Sequence, residues 1–122
     1  MPTILLVDDD DQFRTIFAES LRRAGYDVRE ARDGDEGIKS YRDRPADLII
    51  TDLIMPEKEG LEMIQEFRRS EPEVKIIAIS GGSRHGASDY LRFARAFGAR
   101  KVLGKPFTRD EMLTAIEEVL GP

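Results

Sequence analysis

Four acids in a row, one isolated acid, one hydroxyl and one amine each stand at the end of a short apolar run in this chain. Asp8, Asp9, Asp10 and Asp11 follow Ile4 to Val7, Asp52 follows Leu48 to Thr51, Ser80 follows Val74 to Ile79, and Lys105 follows Lys101 to Leu103. Carboxylates brought together without compensation repel, by about 1 kcal/mol per pair at 4 Å even in water. A hard divalent cation removes that cost. Mg²⁺ in particular is held by one or two carboxylates plus waters, which leaves positions open for phosphate oxygens. The chain has no cysteine and one histidine, His85, so a soft-ligand zinc site is disfavoured.

Some of these residues have plainer duties. Asp10 and Asp11 are expected to serve as cap and first-turn acids of the following helix, complementing its dipole. A cap needs one acid, so Asp8, Asp9 and Asp52 are left for chemistry. Asp47, just after Pro45, reads as a turn acid, and His85 as an exposed loop side chain. Arg68-Arg69 and Glu117-Glu118 read as solvated helix faces.

The elements that must position these groups follow from periodicity. Thr3 to Val7 is a continuous apolar run, as expected of a strand buried on both faces. Phe13, Ile16, Phe17 and Leu21 recur at helical spacing up to Gly25. Tyr26 to Glu30 predicts a second strand, and Asp33-Gly34 a turn before a helix through Ile38 and Tyr41. Pro45 ends that helix, and Leu48 to Thr51 predicts a third strand. Leu61, Ile64 and Phe67 give a helix closed before Pro72. Val74 to Ile79 predicts a fourth strand, Tyr90 to Phe97 a helix, and Lys101 to Leu103 a short fifth strand. Met112, Leu113, Ile116, Val119 and Leu120 mark a terminal helix. Glycines at 81, 82 and 86 predict a loop between Ser80 and Ser88.

Strands alternating with helices imply right-handed crossovers, hence an α/β fold with one doubly wound, five-stranded parallel sheet and helices on both faces. Strand order is not legible from periodicity. In such a sheet ligands bind outside the carboxyl ends of the strands, where the acids, Ser80 and Lys105 converge.

Bulk composition narrows the function. At 122 residues the chain fits one domain, 1–122. With 40% hydrophobic and 35% charged residues it has the makeup of a soluble globular protein. A net charge of -5 disfavours a nucleic-acid footprint, and no apolar stretch is long enough for a membrane span or signal core. The absence of cysteine makes a reducing cytoplasm the default. No Walker-type glycine-rich loop is present, which disfavours a nucleotide-binding protein.

The motifs resemble those of the bacterial response-regulator receiver family. The matching segments are Ile4-Leu-Leu-Val-Asp-Asp9, then Asp47-Leu-Ile-Ile-Thr-Asp52 continuing to Met55-Pro56 and Gly60, then Ile76-Ile-Ala-Ile-Ser80, Gly98-Ala99 and Lys105-Pro106-Phe107. Each motif alone is weak, but together they span essentially the whole chain in order. The resemblance implies a flavodoxin-like (βα)5 receiver fold and a two-component signalling switch that is not a conventional enzyme. Such a switch phosphorylates itself from a phosphodonor and later dephosphorylates itself. Asp52 would be the phospho-acceptor, Ser80 the hydroxyl that bonds the phosphoryl group, and Lys105 its cationic partner. Mg²⁺ would be held by Asp9, Asp52 and the backbone carbonyl of Ile54, with Asp8 acting through water. The Lys105-Pro106 peptide would be cis. The implied partners are a histidine kinase or histidine phosphotransfer protein upstream, and an effector protein or output domain downstream. A phosphorylation-dependent homodimer is also common in the family.

The sequence departs from the family pattern in three places. Val102 stands where an aromatic is frequent, the stretch from Ser80 to Lys105 is a few residues long, and Ile54 is apolar where the family is often polar. Ile54 is expected to shield the phosphoryl group from water. The expected contact surface is the last two helices with the fifth strand, including Arg92 and Arg95. Two other readings remain open: a degenerate receiver acting only as a binding module, and a phosphatase of the haloacid-dehalogenase type. Ending at Gly121-Pro122, the chain is compatible with a stand-alone regulator or with part of a longer one.

Overall fold

Ile4 to Val7 is apolar at every position because its strand has helices packed on both of its faces. The computed structural model describes residues 1–52, 60–81 and 98–121. Five strands, β1 (Thr3–Val7), β2 (Asp27–Ala31), β3 (Leu48–Asp52), β4 (Ile76–Gly81) and β5 (Lys101–Lys105), form one parallel sheet in the order β2-β1-β3-β4-β5. The described helices are α1 (Asp11–Arg23), α2 (Gly34–Asp43), α3 (Gly60–Ser70) and α4 (Arg109–Leu120). The helix predicted over Tyr90 to Phe97, with Arg92 and Arg95, lies outside the described residues, as do Ile54, Met55, Pro56 and His85.

Alternation along the strands splits the core into two layers. Ile4, Leu6, Leu48, Ile50, Ile77 and Ile79 pack with Phe17 and Leu21 of α1 and with Met112 and Ile116 of α4. Leu5, Val7, Ile49, Ile76 and Ala78 pack with Ile38 and Tyr41 of α2 and with Ile64 and Phe67 of α3. Ile50 sits at the middle of the first layer, fully buried and opposite Leu6 on one side and Ile77 on the other. Rigid strands flank it, so the site has little freedom to collapse when atoms are removed. Ile50→Ala is therefore expected to destabilise the fold by about 2–5 kcal/mol. Urea unfolding checks this: the midpoint should fall while the slope stays the same. A loss below about 1 kcal/mol would contradict a close-packed centre.

Caps fix the helix starts. Asp10 accepts a hydrogen bond from the Phe13 N–H at 3.1 Å, and Asp11 is a first-turn acid, as the sequence predicts. Asp33 caps α2 by accepting from the Glu36 N–H at 2.8 Å. Thr108 and Glu111 form a reciprocal capping box at the start of α4.

Several local expectations are adjusted. Asp47 does more than mark a turn, since its carboxylate accepts the Thr3 N–H at 2.8 Å and ties the entry of β3 to that of β1. Arg68 does not simply project into water. A Cβ built on Gly98 would lie 2.7 Å from Arg68 Nε, which the flexible arginine could relieve by shifting, but the φ of +114° is what favours glycine here. The Lys105–Pro106 peptide bond is cis, as the family resemblance implies.

Tyr41 stacks edge-on against Phe67, with ring centroids 5.0 Å apart. Burial, then the charges of Glu71 and Asp47, raise its phenol pKa above the ordinary value. The unfolded chain therefore loses this proton first. The stabilisation is fully present below about pH 10 and is lost as pH rises through the higher folded value. Tyr26 shifts in the same direction through burial and Glu117. Tyr41→Phe is expected to make the decline in stability above about pH 10 shallower, as followed by urea midpoints at several pH values. An unchanged decline would show that Tyr41 does not contribute to it.

Candidate functional site

The chain winds from β1 to one side for β2 and then crosses to the other side for β3. The carboxyl ends of β1 and β3 therefore flank the crevice where the winding reverses, the usual ligand position in open α/β sheets. Asp52 is the last residue of β3, and Asp8 and Asp9 come directly after β1. The Asp8 N–H donates to the Ala31 carbonyl at 3.1 Å, extending the ladder to β2 by one bond.

The Asp8 side chain is fully buried, and a buried carboxylate must be paired. Its Oδ1 accepts from the Asp10 N–H at 2.9 Å, and its Oδ2 accepts from Lys105 Nζ at 3.0 Å. Lys105 reaches over from the end of β5 with 20% of its side chain exposed, and its Nζ also lies 3.6 Å from Asp52 Oδ2. The Asp52 side chain is 11% exposed, and Asp9 is exposed. One carboxylate oxygen from each of Asp8, Asp9 and Asp52 falls within 4.8 Å of the others, the one such acidic cluster among the described residues. Three hard oxygen donors at that spacing, with one exposed flank, suit a divalent cation that keeps several waters.

Of the residues singled out from sequence, the structure brings Asp8, Asp9, Asp52 and Lys105 together. Ser80 lies next to last in β4, its backbone in register with Gly104 of β5, so the chain carries it to the same edge. Ile54 lies outside the described residues. Val102 is half-buried against the layer formed by α2 and α3.

Sequence reasoning missed Arg14. Its guanidinium donates to the Asp8 carbonyl at 2.8 Å and pairs with Asp11 at 2.8 Å and Glu30 at 3.2 Å. Glu30 is also engaged by Arg22 at 3.3 Å. Burial works to lower the Arg14 pKa, but hydrogen bonds and attraction from Asp11 and Glu30 outweigh it, and the net direction is upward. Arg14 stays charged and pins the peptide joining Asp8 to Asp9. The available signal was a charged residue within the apolar stripe of α1, one turn before Phe17 and Ala18.

This fold and site define a doubly wound α/β protein of flavodoxin-like topology, with a cluster of three acids and a lysine at its switch point. Comparison with known proteins is more specific. The response regulator receiver domain model matches residues 4–117. The response regulator receiver protein CpdR of Brucella abortus is 32% identical over 98% of this chain and 98% of its own length. The response regulator protein TrrA of Thermotoga maritima, solved in complex with Mg(2+)-BeF, superposes with a TM-score of 0.87 at 32% identity, covering 98% of this chain and 100% of that one. This chain belongs to the response regulator receiver domain family. It also matches parts of longer proteins, spanning 12% of the sensor kinase CckA of Brucella abortus and 24% of the transcriptional regulator NtrC of Azospirillum brasilense. The identities there are 32% and 33%, over 97% and 98% of this chain. No described helix is long and apolar enough to cross a membrane.

Proposed function

We propose that residues 1–122 act as one receiver domain that takes a phosphoryl group on Asp52. The observation that carries this reading is the Lys105 ammonium standing between Asp8 and Asp52, 3.0 and 3.6 Å away, beside a three-acid cluster at the switch point. Receiver domains are generally Mg²⁺-dependent, and the acid cluster fits such an ion. Asp9 and Asp52, with the backbone carbonyl of Ile54, would hold Mg²⁺ directly and Asp8 through water. When bound, the ion supplies neutralisation of charge on the transferring phosphoryl oxygens.

The chain's own groups do the rest. An Asp52 carboxylate oxygen attacks the phosphorus of a donor, a phosphorus–oxygen bond forms, and the bond to the donor's leaving group breaks with its electron pair. Lys105 faces the developing negative charge from a fixed position, where a preplaced cation stabilises it most effectively. The Ser80 hydroxyl bonds the attached group and relays its arrival. Water attack on the aspartyl phosphate resets the domain, with Ile54 limiting that attack. The in vivo donor is a histidine kinase or histidine phosphotransfer protein. The output is an effector protein or a linked output domain, with a phosphorylation-dependent homodimer as one form of response. The cellular location is the cytoplasm.

Intact-mass spectrometry after incubation with acetyl phosphate tests the reading. One phosphoryl adduct should appear with Mg²⁺ and disappear when the ion is chelated. A wild type that gains no adduct from acetyl phosphate or from a kinase, and shows no Mg²⁺ affinity, is a binding module instead.

A further inference from the structure

Lys105 Nζ lies over the Phe13 ring, 3.9 Å from its centroid, in addition to its contacts with Asp8 and Asp52. We infer that Phe13 is a positioning residue for Lys105, its ring face holding the ammonium at the site whichever carboxylate it faces. This rests on the role of Lys105 proposed above.

The ring is itself held in place. Phe13 is tilted against Phe17 at 5.4 Å and edge-on to Phe107 at 6.2 Å, and Phe17 and Phe107 are 5.5 Å apart. These contacts join the first turn of α1 to the segment just after β5, so the ring cannot swing away without disturbing both. A lysine stem is long and flexible, and its ammonium is a compact point charge without the built-in fork of an arginine. Asp8 and Asp52 alone would let it follow whichever carboxylate is more negative. Attraction to a ring face depends on distance from the centroid and not on which anion lies beyond. With Asp52 phosphorylated, the ammonium can turn from Asp8 toward the new oxygens while keeping its contact with Phe13. Leucine at this position would keep most of the apolar volume but remove the negative ring face.

Two measurements test this. In metal-free protein, the Lys105 ε-methylene protons should show an upfield ring-current shift by NMR in the wild type and in Phe13→Tyr, and no such shift in Phe13→Leu. The initial rate of adduct formation from acetyl phosphate at saturating Mg²⁺ should fall about fivefold in Phe13→Leu and recover in Phe13→Tyr. In a Lys105→Met background, Phe13→Leu should add no further loss, because the two residues act as a pair. Unshifted ε protons in the wild type, or equal slowing in both backgrounds, would overturn the inference and assign Phe13 to packing alone. A wild type that takes no adduct sinks the proposed function and this inference with it, whereas a working wild type without coupling sinks this inference alone.

Discussion

Asp52→Asn is expected to gain no phosphoryl adduct under conditions that convert the wild type, a complete loss and not a slowing. The reason is chemical, since an amide has no anionic oxygen with which to attack phosphorus. The same substitution removes one of three negative charges whose oxygens lie within 4.8 Å of one another. It also removes a weaker attraction, because Asp52 Oδ2 is 3.6 Å from Lys105 Nζ, beyond ordinary hydrogen-bond range. The repulsion of Asp52 with Asp8 and Asp9 is removed, so the metal-free fold should be at least as stable as the wild type. Mg²⁺ affinity should fall about tenfold or more, as expected when one of two or three charged ligands is neutralised. Thermal melts with and without Mg²⁺ would show this as a smaller ion-induced rise in Tm. An adduct that persists in Asp52→Asn would move the acceptor to another residue, with Asp9 the first to examine.

Lys105→Met should change three quantities in different directions. Phosphoryl transfer should slow by about 10²–10³, the range seen when a single preplaced stabilising group is lost from a transfer site. The metal-free fold should weaken by about 1–3 kcal/mol, because the buried Asp8 Oδ2 loses its charged partner while partial exposure at Lys105 lets water soften the loss. Mg²⁺ binding, by contrast, should tighten. A lysine ammonium beside the acids repels an incoming cation and competes for the same oxygens, so its removal favours the ion. Calorimetric titration of Mg²⁺ and urea unfolding in chelator separate these effects. Weaker Mg²⁺ binding in Lys105→Met would contradict the role of Lys105 as an internal counter-ion for the cluster.

Much of this arrangement was legible in the sequence because buried strands leave a strong apolar signature. Ile4 to Val7 and Leu48 to Thr51 marked β1 and β3, and the acids directly after them are the ones the structure brings together. Boundaries slipped where polarity and geometry diverge. The fifth strand runs to Lys105 and not to Leu103, since Gly104 and Lys105 pair with Ser80 and Gly81 despite carrying no apolar signal. The fourth begins at Ile76 and not Val74, whose N–H turns back to the Glu71 carbonyl although its side chain is buried. The second is displaced by one residue because the Tyr26 N–H still bonds the Leu21 carbonyl at the exit of α1. Strand order was not readable, because periodicity reports which faces are covered and not which strand lies beside which. Arg14 escaped for a related reason. A charge amid apolar residues looks like an interruption until the fold supplies Glu30 and the Asp8 carbonyl as its partners.

The bond between Lys105 and Asp8 joins residues 97 positions apart, one beside the first strand and the other at the end of the last. It acts as a clasp closed only when the sheet is complete, since neither end of the chain contains both halves. Closing a contact of such long range costs loop entropy, so assembly of the acidic pocket is expected to come late in folding. A nascent chain still lacking its fifth strand would hold Asp8 without its counter-charge and, on the proposed function, would present at best an impaired acceptor. On the proposed function, signalling competence would thereby be coupled to structural completeness.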